Sequence, residues 1–244
     1  MKISVCMATF NGEKYLKRQI DSIIQQLSSI DEIIISDDSS NDDTLKIIDD
    51  FNDFRIKKYI GNKFYSPIYN LENALSKSTG DYIFLADQDD IWESNKVEVM
   101  IDYLQRCDLV VSDALVIDDD ILIHESFFRM NNSKSGFFHN FIKNSYLGCC
   151  IAFNKKILEF ALPFPKGIPM HDIWIGMIAE VFGKVCFCKE KLVRYRKHSK
   201  NISPTLRKSS YSFCQKVSFR KNLLFLLSKR VFERKYVSLK SRYL

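Results

Sequence analysis

Short apolar runs rich in β-branched residues alternate with stretches of helical period through the first half of the chain, and few architectures accept that order. The runs lie at 2–8, 32–37, 55–60, 81–86 and 108–112, each bounded by polar residues. Between them Tyr15, Leu16, Ile20, Ile23, Ile24 and Leu27 recur at helical spacing over 13–27. Leu45, Ile47, Ile48 and Phe51 repeat the pattern over 43–51, and Val97, Met100, Ile101 and Leu104 over 92–105. Strands alternating with helices predict repeated βα units, hence an α/β fold on a doubly wound, mostly parallel, Rossmann-like sheet. Such sheets bind ligands beyond the carboxyl ends of their strands. Thr9-Phe10-Asn11, Asp37-Asp38 and Asp87-Gln88-Asp89-Asp90 each follow a different strand, so they are expected to line one crevice. The second half is less regular: strand-like 146–153, helical 154–161, a Pro/Gly segment at 163–169, helical 171–182 and strand-like 184–189.

Charge divides the chain unevenly. Residues 207–244 hold eleven Lys/Arg against one acid, Glu233; this tail carries +10 of a whole-chain net of +6, leaving 1–206 acidic. A nucleic-acid reader would carry its positive charge along its binding face, so no nucleic-acid partner is expected. The seven cysteines are odd in number, lack a CxxC pair and mostly sit in apolar runs, which reads as reduced core thiols in the cytosol. The apolar run after Met1-Lys2 is too short for a signal peptide or a spanning helix.

Asp87, Asp89 and Asp90, with the Asp37-Asp38 pair converging on them, would repel one another in a cleft without a counter-ion. Oxygen ligands on a strand-to-helix turn suit Mg²⁺ or Mn²⁺, which bind through one or two carboxylates plus substrate phosphates. Asp118-Asp119-Asp120 reads instead as an ordinary turn after a strand. Glu13 reads as an acid compensating the dipole of the first helix, and Gly148-Cys149-Cys150 as part of a strand with no redox role.

Three blocks, Ile3-Ser-Val-Cys-Met-Ala-Thr-Phe-Asn-Gly-Glu-Lys-Tyr-Leu16, Asp31-Glu-Ile-Ile-Ile-Ser-Asp-Asp-Ser-Ser40 and Thr79-Gly-Asp-Tyr-Ile-Phe-Leu-Ala-Asp-Gln-Asp-Asp-Ile-Trp92, closely resemble glycosyltransferase family 2. Met170-His-Asp-Ile-Trp174 and Tyr195-Arg-Lys-His-Ser-Lys-Asn201 resemble its rhamnosyltransferase-like branch of O-antigen and capsule enzymes. The resemblance implies a GT-A fold and an inverting, metal-dependent transfer of a sugar from a UDP- or dTDP-sugar to an acceptor hydroxyl in bacterial surface-polysaccharide synthesis. It implies that Thr9 and Phe10 flank the base, with Asn11 beside them. Asp38 would accept from the base imide, Asp87 would hold the ribose and Asp89 the metal. Asp172 matches the general base, and His198 a position that can complete the metal site. His171 and Trp174 would orient the base or the acceptor. Asp172 could otherwise cap the helix that follows it. His198 could instead be exposed or touch phosphate.

The chemistry asks for these residue types on its own terms. A departing nucleoside diphosphate develops negative charge that a cation offsets, and the attacking hydroxyl must give its proton to a carboxylate on the opposite face. One base implies one displacement and therefore inversion. Residues 1–206 are expected to form the catalytic domain, with about 1–113 binding the nucleotide sugar and about 114–206 the acceptor. The tail, 207–244, mixes Phe and Leu with Lys and Arg. That mixture fits an interfacial amphipathic helix on anionic lipid, and also fits a terminal helix packed on the catalytic body with a solvated basic face. A glycan acceptor linked to a lipid diphosphate favours the first and places the enzyme at the inner face of the cell membrane. A nucleotidyltransferase, or a non-catalytic nucleotide-sugar-binding protein, is the alternative. The former would want a Gly-rich phosphate loop or clustered cations near the first turn, and Asn11-Gly12-Glu13 supplies neither.

Overall fold

The structure is a computed structural model describing residues 1–197 and 212–240, the side chains of 213 and 235–240 excepted. Its first half is a run of βα units: β1 (Ile3–Thr9), α1 (Leu16–Ile24), β2 (Glu32–Asp37), α2 (Thr44–Asp50), β3 (Ile56–Tyr59), α3 (Pro67–Ser76) and β4 (Tyr82–Asp87). β2 is buried throughout and β1 at all but one position. Strands covered on both faces have to be apolar nearly throughout, which is why they stand out in the sequence. α1 turns Leu16, Gln19, Ile20 and Ile23 inward at helical spacing. α3, absent from the sequence reading, opens on an extended Ser66 with Pro67 in its first turn, where the missing amide hydrogen is no loss.

Next come β5 (Ile91–Trp92), α4 (Lys96–Leu104), β6 (Leu109–Asp118), β7 (Ile121–His124), α5 (Phe127–Asn131) and α6 (Phe137–Ile142). They lead through a 3₁₀ turn (Gly148–Cys150) to β8 (Ile151–Asn154), α7 (Lys155–Ala161), α8 (His171–Phe182), β9 (Val185–Arg196) and α9 (Phe213–Lys240). The sheet runs β3-β2-β1-β4-β8-β6-β9-β5, with β7 paired to β6. It is parallel from β3 to β4, as expected. Beyond β4 it is mixed: β8 pairs antiparallel with both β4 and β6, and β9 is parallel to β6 but antiparallel to β5.

Three expectations need correction. The helix expected over 92–105 begins at Lys96, because Ile91 and Trp92 pair with Arg194 and Val193 of β9. The strand expected over 146–153 is a 3₁₀ turn followed by a short strand, so Gly148-Cys149-Cys150 is not strand. Glu13 precedes α1, and its carboxylate accepts from the Asp43 amide at the start of α2, so it serves the neighbouring helix. Asp119 and Asp120 do form the β6–β7 turn, and they also tie it to Lys14 and Arg18.

The parallel register determines where the site lies. Thr9 stands opposite Asp37 and Ala8 opposite Asp87, so β1, β2 and β4 end level with one another.

Candidate active site

At that level edge Thr9 is buried, and its hydroxyl lies 2.8 Å from Asp37 Oδ2. Asp37 also accepts from the amide and hydroxyl of Ser40, which binds it into the wall. Asp38 Oδ1 and Oδ2 accept from the amides of Phe64 (2.6 Å) and Ser66 (3.3 Å). A carboxylate has about four acceptor sites, so both oxygens keep capacity for a further donor. Phe10 is half exposed at the rim. Asn11 lies in the left-handed region (φ 48°), with its amide on Ser40 and its side-chain oxygen on the Asn41 amide. Gln88 holds this loop against the acidic one: Oε1 accepts from the Phe10 amide (2.9 Å) and Nε2 donates to its carbonyl (3.0 Å). A Cβ on Gly12 would lie 2.5 Å from Gln88 Oε1, so the clasp needs glycine there.

The acids face each other across this crevice. Ligand atoms of Asp87, Asp90 and Cys149 lie within 4.8 Å of one another. Asp87 is only partly buried, yet desolvation and the charges of Asp89 and Asp172 push its pKa up to about 7. Asp90 is buried, and its pKa is raised well above the ordinary carboxylate range by desolvation and the neighbouring charges of Asp89 and Asp87. Its Oδ1 accepts from the Arg196 amide (2.8 Å), while Oδ2 is buried with no hydrogen-bond partner. Carboxylates so raised, one with an orphaned oxygen, are a donor set that a divalent cation would satisfy. The oxygens suit Mg²⁺ or Mn²⁺; the Cys149 thiol is a softer group and does not.

Two cations outside the expected site support it. Lys96 is fully buried, its ammonium 2.6 Å from the Cys149 carbonyl and 3.9 Å from the Trp92 ring centroid. Burial lowers its pKa to about 8 against the opposing pull of Asp90 and Asp87. Arg196 is buried too: its Nε donates to the Asp89 carbonyl (2.9 Å), Asp120 lies 3.4 Å away, and its guanidinium stacks 4.5 Å from the Tyr15 ring centroid. It locks the backbone of the acidic loop to β9. Lys96 gives no sequence signal beyond its place four residues after Trp92; Arg196 lies inside the Tyr195 motif.

Asp172 lies in the first turn of α8, whose N-cap is Met170, so Asp172 is not the cap. Its Oδ1 accepts from the Ile173 amide (2.6 Å), and Asn144 reaches Oδ2 at 3.5 Å. The carboxylate is partly exposed, but the protein around it raises its pKa to about 6. It faces the same turn as the acids: a Cβ on Gly148 would lie 3.9 Å from Asp172 Cβ, and the next residue, Cys149, has its thiol within 4.8 Å of Asp87 and Asp90. Beside it His171 is driven down to about 4 by burial, with Nδ1 unpartnered. It is therefore a neutral imidazole near pH 7. A Cβ on Gly148 would come within 3.0 Å of His171 Nε2, so the 3₁₀ turn uses glycine to seat the ring. Trp174 has no exposed surface, and its indole donates to the Ala161 carbonyl (3.0 Å), so its ring is part of the core. His198 lies outside the described residues.

Residues 4–161 match the model of Glycosyl transferase family 2, and the chain belongs to that family. It is 23% identical over 206 residues to the Escherichia coli UDP-Glc:alpha-D-GlcNAc-diphosphoundecaprenol beta-1,3-glucosyltransferase WfgD, covering 82% of this chain and 79% of that one. It is 29% identical over 216 residues to the Shigella flexneri dTDP-rhamnosyl transferase RfbG, covering 80% and 72%. Among solved structures, S. aureus TarS in complex with UDP-GlcNAc superposes with a TM-score of 0.67 at 18% identity, over 92% of this chain and 72% of that one. The fold is thus GT-A.

Proposed function

We propose that the protein is an inverting, metal-dependent glycosyltransferase that moves one sugar from a UDP- or dTDP-sugar to an acceptor hydroxyl during bacterial surface-polysaccharide synthesis. The observation that carries this reading is the shared crevice of Asp87, Asp89 and Asp90 with Asp172, a carboxylate of raised pKa on a different element. The base would lie between Thr9 and Phe10 with Asp38 accepting its imide hydrogen, Asn11 beside it and Asp87 on the ribose. Asp89 would hold Mg²⁺ or Mn²⁺ with His198 completing the set, and the same cation would relieve the raised Asp87 and Asp90 beside it. The bound cation would offset the charge of the departing diphosphate. Asp172 takes the proton of the attacking hydroxyl, and its raised pKa makes it a stronger base than an ordinary aspartate. His171, neutral, packs beside it and orients the acceptor. The relatives' activities on UDP-Glc and dTDP-rhamnose, and WfgD's diphosphoundecaprenol acceptor, support a donor of this class and a lipid-linked acceptor.

Such an acceptor places the enzyme at the inner face of the membrane, attached peripherally through the basic tail. No helix among the described residues is long and apolar enough to cross a membrane. Incubation with a panel of nucleotide sugars and a lipid-diphosphate acceptor, read by mass, tests the reading. Transfer from none of the UDP- or dTDP-sugars would overturn it.

A further inference from the structure

Helix α9 is neither a free tail nor an ordinary packed helix. Its inner face buries Leu223, Leu226, Leu227 and Arg230 on the catalytic body. The Arg230 guanidinium donates to the carbonyls of Phe160, Leu162 and Pro163 at 2.6–2.9 Å and lies 5.5 Å from the Trp174 ring centroid. Along one flank a cleft of about 390 Å³ opens between α9 and the loop after α7. Leu162, Phe164 and Leu226 give it an apolar wall, and Lys229, Arg230 and Arg234 line it with cations. Its one acid, Glu233, is 3.5 Å from Arg230 and 4.0 Å from Lys229, so a single carboxylate faces three cations. Backbone carbonyls fix Arg230 and Arg234 in place without neutralising them.

On the outward side of the same helix Phe225 and Phe232 are 65% and 73% exposed. Seven residues apart, they share one face, and Lys221 and Lys229 flank them. Lys229 thus borders both the aromatic stripe and the cleft.

We propose that α9 is an in-plane membrane anchor: Phe225 and Phe232 enter the bilayer interface, and the adjoining cleft receives the phosphate of an anionic glycerophospholipid between Lys229 and Arg234. An apolar wall beside an excess of cations complements an amphiphile that carries both characters. A soluble phosphate would leave the apolar wall and the aromatic stripe without partners. The inference deepens the proposed membrane attachment. Because α9 lies on α8, whose first turn carries Asp172, the anchor also sets how the catalytic crevice faces the lipid surface.

The test is co-sedimentation of the full chain with phosphatidylcholine vesicles and with vesicles containing phosphatidylglycerol, at low and high salt. Wild type is compared with Phe225→Ser/Phe232→Ser and Lys229→Gln/Arg234→Gln, and with Lys229→Gln alone should the double variant fail to fold; Lys229 is 62% exposed. Binding of UDP and of dTDP, and melting temperature, are measured on the same preparations, so that failure of the transferase reading, seen as binding of neither nucleotide, is distinct from failure of the anchor. The anchor predicts tight partitioning to anionic vesicles only, weaker at high salt. Each cation removed should weaken it about fivefold, so the double variant about thirtyfold. The phenylalanine pair should weaken it roughly tenfold or more, with nucleotide binding unchanged throughout. Equal binding to neutral vesicles, or none to either, would overturn the proposal. Loss confined to the phenylalanine variant would overturn the lipid-phosphate cleft, and loss confined to the cation variants would overturn insertion of the stripe.

Discussion

Replacing Asp172 by Asn separates a base from a structural acid, because the two roles predict opposite changes in stability. In the folded protein Asp172 has a pKa near 6 against an ordinary 3.8, and burial is the cause. Ionising it therefore opposes folding: the stability of its protonated form is complete below about pH 4 and lost as pH rises through about 6. The shift corresponds to about 3 kcal/mol before allowance for the carboxylate's partial access to solvent, so Asp172→Asn should stabilise the fold by about 1–2 kcal/mol at pH 7. Asparagine keeps an acceptor for the Ile173 amide, so the first turn of α8 should survive. Transfer should fall about a hundredfold or more, as for a base used only in the transition state, with donor affinity little changed. For wild type about a tenth of the carboxylate is ionised at pH 5 and about nine-tenths at pH 7, so kcat/KM should rise about tenfold between them. The variant's residual rate should lack that limb. The assays are initial rates from pH 5 to 8 and thermal melts of both proteins. An Asp172→Asn protein that transfers at the wild-type rate, or that is destabilised at pH 7, would refute the reasoning.

Asp89→Ala should abolish turnover and metal-dependent donor binding while leaving the melting temperature within a few degrees; calorimetric titration of nucleotide with and without Mn²⁺ checks it. Gly148→Ala should slow transfer at least several-fold with the fold retained, because its methyl group meets His171 Nε2 at 3.0 Å, and steady-state kinetics on folded protein reads it. Arg230→Ala leaves three carbonyls without their donor and should destabilise the protein by about 2–4 kcal/mol, measured by urea unfolding. Removal of 207–244 exposes the surface that Leu223, Leu226 and Leu227 cover, so the truncated chain should melt well below the full one even where vesicle binding is the property under study.

The parallel half of the sheet was legible because burial on both faces leaves little room for polar residues, so β1, β2 and β4 read as nearly continuous apolar runs. The crevice followed from it, since the acids after those strands come level once the strands pair in register. What stayed hidden depends on contacts distant in sequence. β5 is two residues long and exists only because β9 pairs with it, which displaced the expected start of α4. α3 mixes Tyr69, Asn70, Glu72 and Asn73 with its apolar residues, and Asn70 is buried because it donates to the Thr9 carbonyl. Lys96 looks like a solvated first-turn lysine until the turn at Cys149 closes over it. Trp174 belongs to a motif suggestive of acceptor binding, yet its ring is core. In the tail, composition could not say that Arg230 turns inward while Phe225 and Phe232 turn out.

The central claim is sugar transfer from a nucleotide donor at the crevice of Asp87, Asp89, Asp90 and Asp172. Its most direct test is mass spectrometry of a lipid-diphosphate-linked glycan after incubation with the protein, Mn²⁺ or Mg²⁺, and each of a panel of UDP- and dTDP-sugars. The account predicts that one donor class adds a single sugar residue to the acceptor with inverted anomeric configuration, and that chelation of the metal or Asp89→Ala prevents it. Unchanged acceptor with every donor, or diphosphate release from a nucleoside triphosphate and a sugar phosphate instead, would contradict it.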